Sequence, residues 1–279
     1  MHSSNTAREA ILEAIRGARR LDGPPIRDDA IITYTWDAKP AAHILYLALL
    51  HAGLRATLAH AALASVHIVP YRETGTVVAY TSSDRDVRVV NIAMAASALG
   101  LEVYVVGPEM HPAVEETLDQ TGAKRITVPG ENPLLTMMVA SLLWRPRLLG
   151  AREERVRGEV EALPEALEWV ESRYSREIEQ ASQGGYDGIL YTPSIEAAAL
   201  YHSMLTGIPA SPLDEVVRTR PSSRYLAYIA GVDEHNYRDL LLKASLSQVK
   251  IARVMVDTDP VTLNIYGVMI ASLALGRVL

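Results

Sequence analysis

Three apolar stretches of the sequence end in the dipeptide Tyr-Thr and continue with small or polar residues. The three junctions are Tyr34-Thr35-Trp36-Asp37, Tyr80-Thr81-Ser82-Ser83 and Tyr191-Thr192-Pro193-Ser194. In a parallel sheet, such junctions lie at the carboxyl edge, where helix N-termini present free N–H groups and the positive end of their dipoles. Hydroxyl groups at that edge could hold a phosphate. The competing interpretation is that these threonines and serines are ordinary helix N-caps.

The candidate phosphate-binding or sugar-binding side chains are those of the three junctions together with one arginine. They are Thr35, Asp37, Thr81, Ser82, Ser83, Arg85, Thr192 and Ser194. Arg85 could bind a phosphate through two parallel hydrogen bonds, or it could be a solvated arginine in the first turn of a helix. The sequence has no G-x-G-x-x-G motif after its first apolar stretch and no G-x-x-x-x-G-K-[ST] motif, so neither a dinucleotide-binding Rossmann site nor a P-loop is supported.

The composition argues against several other kinds of site. The sequence contains no cysteine, which excludes disulfides, thiolate catalysis and sulfur-ligated metals. Its eight histidines form no H-E-x-x-H motif or other standard metal-binding pattern, and we expect no metal and no cofactor. The net charge of -6 gives no overall basic field, so we expect no nucleic acid as a partner.

Short apolar stretches alternate with helical segments in two parts of the sequence. This alternation predicts parallel sheets with helices on both faces. A charged, helix-favouring stretch interrupts it, so we predict an α/β protein of two parallel-sheet lobes joined by a helical connector. The predicted boundaries are 1–26 for an N-terminal helix, 27–150 for the first lobe, 151–185 for the connector and 186–279 for the second lobe.

The two ends of the sequence favour a cytoplasmic protein without a membrane segment. The N-terminal region has no charged stretch followed by an apolar one, and Thr6 with Glu9 has the pattern of a helix capping box. The apolar stretch 261–279 approaches membrane-spanning length, but Asn264 within it favours a buried helix. The apolar faces of this helix and of the one predicted at 41–53 exceed what one lobe needs, which favours a homodimer.

The stretch YTSSDRDVRVVNIAMAASALGLEVYVVG, which starts at Tyr80, resembles the first lobe of the double SIS (sugar isomerase) proteins. This family includes phosphoglucose/phosphomannose isomerases and the isomerase half of glutamine–fructose-6-phosphate amidotransferase. The S-x-S-G-[DEN]-T phosphate loop of the family falls on residues 81–86. Two later stretches, TPSIEAAALYHSMLTGIPASPLDEVVRTRP and TDPVTLNIYGVMIASLALG, resemble segments of the second lobe.

The resemblance implies two flavodoxin-like SIS lobes that bind a phosphorylated sugar between the lobes or at a dimer interface. It leaves two functions open, which are an aldose–ketose isomerase and a non-catalytic sensor or regulatory protein. Isomerisation needs a carboxylate that moves a proton between neighbouring carbons, and Glu215 in LDEVVR resembles the N-E-x-x-K motif of the phosphoglucose isomerase branch. His202 and His235 are candidates for opening the sugar ring, with a structural or solvated histidine as the alternative.

The proposed phosphate loop departs from the family pattern where Asp84 and Asp86 replace a glycine and a threonine. Each carboxylate opposes a phosphate by about 1 kcal/mol at water-like screening, whereas each charge-assisted hydrogen bond contributes about 1.5–3 kcal/mol. We therefore expect Thr81, Ser82 and Ser83 to open a helix and bind a phosphate. We expect both aspartates to turn along the helix surface towards solvent.

Overall fold

The computed structural model describes residues 2–26, 29–73, 75–218 and 223–279. The chain divides into two compact units. One, the first-sheet unit, consists of residues 13–154 with Leu279, and the other, the second-sheet unit, consists of residues 1–12 with residues 155–278.

The first-sheet unit is built on five parallel strands. The strands are β1 (Asp29–Tyr34), β2 (Arg55–His60), β3 (Thr76–Tyr80), β4 (Glu102–Gly107) and β5 (Lys124–Thr127). Their order in the sheet is β2-β1-β3-β4-β5. All residues of β3 are buried, as expected for a central strand that is covered by helices on both faces.

Helices cover both faces of this sheet. They are α2 (Lys39–His51), α3 (Ala61–His67), α4 (Val87–Ser97), α5 (Pro112–Thr121) and α6 (Pro133–Leu143), and a long helix, α1 (His2–Ala18), precedes them. The helices α3, α4 and α5 enclose an apolar cluster with the strands, to which Ile31, Val77 and Val105 contribute. The helices α2 and α6 pack against each other and contact β1, β3 and β4.

In its described residues, the second-sheet unit combines four parallel strands with six helices and the first part of α1. Its helices are α7 (Ala151–Glu161, from Arg155 onwards), α8 (Leu163–Arg173), α9 (Ser175–Ser182), α10 (Glu196–Thr206), α11 (Glu234–Leu246) and α12 (Leu263–Leu275). Its strands are β6 (Gly188–Tyr191), β7 (Ala210–Pro212), β8 (Arg224–Ala230) and β9 (Lys250–Val256), in the order β7-β6-β8-β9. Most of α12 is buried against α8, α9 and α10, which agrees with the buried helix predicted from Asn264.

The α/β class predicted from the sequence is confirmed, because both sheets are parallel throughout. The sequence pattern does not predict β2 or β7. Within the described part of the chain, no helix combines the length and the apolar character needed to cross a membrane.

The strand orders define where ligands bind in open α/β sheets. In the first sheet, β1 lies between β2 and β3, so the connections that follow β1 and β3 leave in opposite directions. By the general rule for open α/β sheets, we expect ligands to bind at the carboxyl ends of β1 and β3. The corresponding point of the second sheet lies between β6 and β8.

Candidate functional site

The carboxyl ends of β1 and β3 bring two of the predicted junctions side by side. The Thr35 N–H donates to the Tyr80 carbonyl at 2.9 Å, and the Thr81 N–H donates to a β4 carbonyl at 2.9 Å. Both threonines are fully buried. Asp37 is exposed in a short 3-10 helix that directly follows Thr35. The first-sheet unit thus places both loops at the switch point of its sheet.

The loop of residues 81–86, which we call the β3–α4 loop, is held in a turn by its own side chains. Thr81 Oγ1 accepts a hydrogen bond from the Ser83 N–H at 3.1 Å and donates to the Ser83 carbonyl at 3.2 Å. Ser83 Oγ accepts from the Arg85 N–H at 3.3 Å. Ser82 and Ser83 are partly exposed and the Arg85 side chain is 71% exposed, so these three residues can be reached by a ligand.

Asp86 caps the helix α4, which begins at Val87. Two sequence expectations are therefore wrong, namely that residues 81–83 open this helix and that Asp86 turns towards solvent. The Asp86 side chain is 2% exposed, accepts from the Arg88 N–H at 3.0 Å, and binds the Arg88 guanidinium through two hydrogen bonds of 2.8 and 2.7 Å. The physical reason is that a carboxylate at the N-cap gains from the helix dipole as well as from its arginine. The Asp84 side chain is 52% exposed, as expected.

The environment of Asp86 keeps its carboxylate charged. Burial raises the pKa of Asp86, but hydrogen bonds from the Arg88 side chain and backbone and a contact with the Thr35 hydroxyl outweigh it, so the pKa lies below its ordinary value. The Thr35 hydroxyl has no partner with full hydrogen-bond geometry, so we regard its contact as weak and the Arg88 bonds as decisive. The N-terminus of α4 thus carries a negative charge that Arg88 neutralises.

Trp36 and Arg88 also belong to this edge, although the sequence pattern does not indicate them. Trp36 has a φ of 44°, a left-handed conformation that is strained for a bulky side chain, and it is 65% exposed. The Arg88 guanidinium lies over its ring, 4.2 Å from the centroid, within the range of a cation–π interaction. Strained residues of this kind cluster at ligand sites. The available sequence signal was a tryptophan directly after a strand threonine.

In the second sheet, the predicted junction residues are occupied by internal hydrogen bonds. Thr192 is fully buried, and its Oγ1 accepts from the Ala230 N–H at 3.0 Å. Ser194 donates to the Asp233 carboxylate through its N–H at 3.0 Å and its hydroxyl at 2.9 Å. Asp233 follows β8, so the protein's own carboxylate bridges the switch point of this sheet.

His202 lies in the core of the second-sheet unit. The residue is 1% exposed, and its Nδ1 shares a 2.7 Å hydrogen bond with the Tyr228 hydroxyl. Burial, together with the positive charge of Arg277, lowers the pKa of His202 to about 4. The ring is therefore neutral at physiological pH and almost fully shielded from solvent.

The other two candidate catalytic residues are at the surface of the same unit. Glu215 is exposed in a 3-10 helix (Leu213–Arg218) that follows β7. Burial raises the pKa of Tyr191, and the charges of Glu196 and Glu215 raise it further. The 3-10 helix that carries Glu215 contacts β6, the strand that ends at Tyr191. His235 is exposed in the first turn of α11.

The first-sheet unit also contains a cavity of about 340 Å³ beside the loop that follows β5. Its lining includes Arg16 and Arg20 of α1 and Asn132 at the start of α6, and it includes none of the predicted site residues. Two acids, Glu13 and Glu131, balance the charge of the arginines. Across the described ranges, no group of three or more histidine, aspartate and glutamate side chains could hold a metal ion.

A scan against protein-family models finds no match for this sequence, and a search of curated proteins finds none either. Solved structures do match. The C-terminal domain of glucosamine-fructose-6-phosphate aminotransferase from Francisella tularensis is 11% identical with a TM-score of 0.66, over 98% of this chain and 94% of that one.

Two further structures are similar over nearly the whole chain. Glucosamine-6-phosphate deaminase from Thermotoga maritima is 12% identical with a TM-score of 0.65, over 99% of this chain and 92% of that one. Tagatose-6-phosphate ketose/aldose isomerase from Escherichia coli is 11% identical with a TM-score of 0.64, over 97% of this chain and 86% of that one. At these identities the likeness establishes the fold, and the chain shares the α/β fold of these three proteins.

Proposed function

We propose that the chain binds a phosphorylated sugar at the carboxyl edge of its five-stranded sheet and does not turn it over, as a sensor or regulatory protein would. The observation that carries the proposal is the β3–α4 loop at the switch point, which combines accessible serine hydroxyls with Arg85 and Arg88. The fold supports this ligand class, because the three similar proteins are named for sugar phosphates.

The charges of the loop are balanced in two pairs. Arg88 neutralises Asp86, and Arg85 lies 3.7 Å from the Asp84 carboxylate. An incoming phosphate therefore meets no net negative charge and gains from the serine hydroxyls and the dipole of α4. Two charge-assisted hydrogen bonds at about 1.5–3 kcal/mol each outweigh two carboxylates at about 1 kcal/mol each. The binding of a phosphate to the loop is therefore favourable when Arg85 and Arg88 neutralise the two aspartates.

The absence of turnover is proposed from the states of the candidate catalytic groups. Aldose–ketose isomerisation needs a base and a ring-opening group that reach the same substrate. His202 is buried, neutral and bonded to Tyr228, so it could reach a sugar only if the core opened. His235 is exposed in the first turn of α11. Within the described structure, it forms no hydrogen bond or ion pair with a buried residue.

A sugar-phosphate isomerase is the second candidate function, because one observation favours it. The 3-10 helix that carries Glu215 contacts β6, and active sites of open α/β sheets are found at the carboxyl ends of such strands. If the chain is an isomerase, purified protein interconverts fructose 6-phosphate and glucose 6-phosphate, and Glu215→Gln abolishes this activity without changing sugar-phosphate affinity.

Binding is tested by isothermal titration of the full chain with fructose 6-phosphate, glucose 6-phosphate and inorganic phosphate. A double variant, Ser82→Ala with Ser83→Ala, removes the two accessible hydroxyls, and we expect it to lower affinity by at least about 100-fold, since each lost bond to a charged phosphate contributes about 1.5–3 kcal/mol. The matched control is Ser245→Ala with Ser247→Ala, two exposed serines near the end of α11.

The outcomes separate the possible sites. Loss of affinity in the loop variant alone supports the proposal. No binding of either sugar phosphate at millimolar concentration contradicts it. If both serine variants bind like the wild type while Arg16→Ala with Arg20→Ala does not, the ligand occupies the cavity beside β5 instead of the loop.

We also propose a larger organisation for this function. Residues 27–150 and 186–279 would form two SIS lobes, with 1–26 as an N-terminal helix and 151–185 as a helical connector. The protein would act as a cytoplasmic homodimer. Light scattering during size-exclusion chromatography tests the dimer, and a monomeric mass at micromolar concentration contradicts it.

A further inference from the structure

A second cavity, of about 510 Å³, opens in the second-sheet unit. Its walls come from α7, α8, the residues that follow β9 and the first turns of α12. None of the residues proposed above for phosphate binding or catalysis lines it. A volume of this size is typical of small-molecule sites.

One wall of the cavity is aromatic. Trp169 is 45% exposed, whereas Tyr266 beside it is buried. The ring centroids of Trp169 and Tyr266 are 5.5 Å apart, and Tyr174 packs edge-on against Trp169 with its centroid also at 5.5 Å. Contacts with two other rings hold the indole in place, so it presents a fixed face, and the faces of aromatic rings carry partial negative charge.

The charged residues of the lining are all acidic. Glu159, Glu165 and Asp257 line the cavity, and no lysine or arginine does. Among the ion pairs of residues 2–26, 29–73, 75–218 and 223–279, none involves these three carboxylates. Glu159 is held in place by the hydroxyls of two threonines, which donate to its Oε2 at 2.5 and 3.3 Å. Burial raises the pKa of Tyr266, and the charge of Glu159 raises it further, which agrees with a negative potential in the cavity.

The two helices that border the cavity, α7 and α8, and the residue between them carry small side chains on this side. A Cβ built on Gly158 would meet no atom within 4 Å, and Ala162 and Ala166 follow at intervals of four residues. Glycine in a helix interior is destabilising relative to alanine. The local packing does not require glycine at this position, and a side chain placed there would enter open space at the edge of the cavity.

We propose that this cavity binds an organic ammonium ion, either a primary amine or a methylated ammonium, between the ring of Trp169 and the carboxylates of Glu159, Glu165 and Asp257. A cation over an indole face is attracted by the ring quadrupole, and the attraction grows as water is displaced. The unpaired carboxylates add an electrostatic attraction for cations and repel anions, so sugar phosphates do not compete. This proposal is independent of the phosphate site.

The test follows tryptophan fluorescence during titration of the full chain with choline, with spermidine and with 3,3-dimethylbutan-1-ol, the uncharged isostere of choline. We expect the cations to bind and the isostere not to bind. Gly158→Leu places a side chain in the open space, so we expect a folded protein whose affinity for the cations falls by at least about tenfold. Glu165→Gln lowers affinity by about threefold.

Two controls make the result specific. Glu116→Gln removes an exposed acid of α5 that does not line the cavity, and it leaves cation affinity unchanged. Thermal melting of Gly158→Leu confirms that the variant is folded. Failure of both cations to bind at millimolar concentration, equal binding of the uncharged isostere, or wild-type affinity in Gly158→Leu would each overturn the proposal. These experiments contain no sugar phosphate, so they fail or succeed separately from the proposed function.

Discussion

Replacing Asp86 by asparagine tests whether the protein's own carboxylate limits the affinity of the β3–α4 loop for a phosphate. Asparagine is as good an N-cap as aspartate, so the start of α4 is preserved while one negative charge is removed. The change also frees the Arg88 guanidinium, which both Asp86 oxygens now engage at 2.8 and 2.7 Å. We expect Asp86→Asn to bind fructose 6-phosphate more tightly than the wild type does.

The magnitude follows from Coulomb's law. A carboxylate at ~7 Å and water-like screening opposes each charge of a phosphate by about 0.6 kcal/mol, or about 1.2 kcal/mol for the dianion. Affinity should therefore rise by at least about eightfold. Since the Asp86 side chain is only 2% exposed, screening is weaker and the gain larger. Folding stability falls by about 1–3 kcal/mol, because Arg88, which is 24% exposed, loses a nearly buried charged partner.

The assay is isothermal titration at low ionic strength, with thermal melting to follow stability. Asp84→Asn is the matched control, since the Asp84 side chain is 52% exposed and does not cap α4. At ~10 Å and full screening, its removal changes affinity by no more than about fourfold. The reasoning is refuted if Asp86→Asn binds more weakly than the wild type, or if the two variants gain affinity equally.

Three further predictions concern stability and its dependence on pH. Glu153→Gln removes the partner of Arg145 in a pair whose side chains are 14% and 7% exposed, and urea unfolding should show a loss of about 3 kcal/mol because a nearly buried guanidinium is left without its counter-charge. His202 has a pKa of about 4 in the folded chain, so as the pH falls the unfolded chain binds a proton at this histidine before the folded chain does. Its contribution to the free energy of unfolding is therefore complete above about pH 6.5 and falls towards pH 4. Between pH 7 and 5, the wild type should lose roughly 2 kcal/mol more of this free energy than His202→Gln. Gly107→Ala places a Cβ 2.8 Å from the backbone oxygen of Thr81. Thermal melting should show destabilisation by about 1–3 kcal/mol, and titration should show weaker sugar-phosphate binding. Unchanged stability together with unchanged affinity would contradict this close approach.

The class of the fold could be predicted from the sequence because its strongest signals are local. The fully buried β3 appears as a short run of apolar and β-branched residues, and such runs indicate central strands. The sequence pattern misses β2 because this edge strand is mostly half-buried, so its apolar residues are diluted by polar ones. It misses β7 because three residues are too few to establish a pattern.

The candidate site was only partly predictable from the sequence, because several residues of the β3–α4 loop could each be the N-cap of α4. Thr81, Ser82, Ser83 and Asp86 are all good N-caps, and their order in the sequence does not reveal which one the helix uses. Thr81 bonds to the Ser83 backbone and closes a turn, which delays the start of the helix until Val87. The choice of Asp86 therefore depends on loop geometry and on Arg88, neither of which appears in the pattern of residue types.

The two sheets differ in how readily a phosphate could displace the aspartate at the switch point. Asp86 is bound by Arg88, so a phosphate that approaches the first sheet finds a cation that can exchange one anionic partner for another. Asp233 instead accepts both of its hydrogen bonds from Ser194, and within the described chain no lysine or arginine forms an ion pair with it. A phosphate there would place a dianion beside a carboxylate without a counter-charge, which electrostatics opposes. Junctions with the same Tyr-Thr dipeptide thus have different binding capacities, and a phosphorylated sugar should bind at the first sheet in preference to the second.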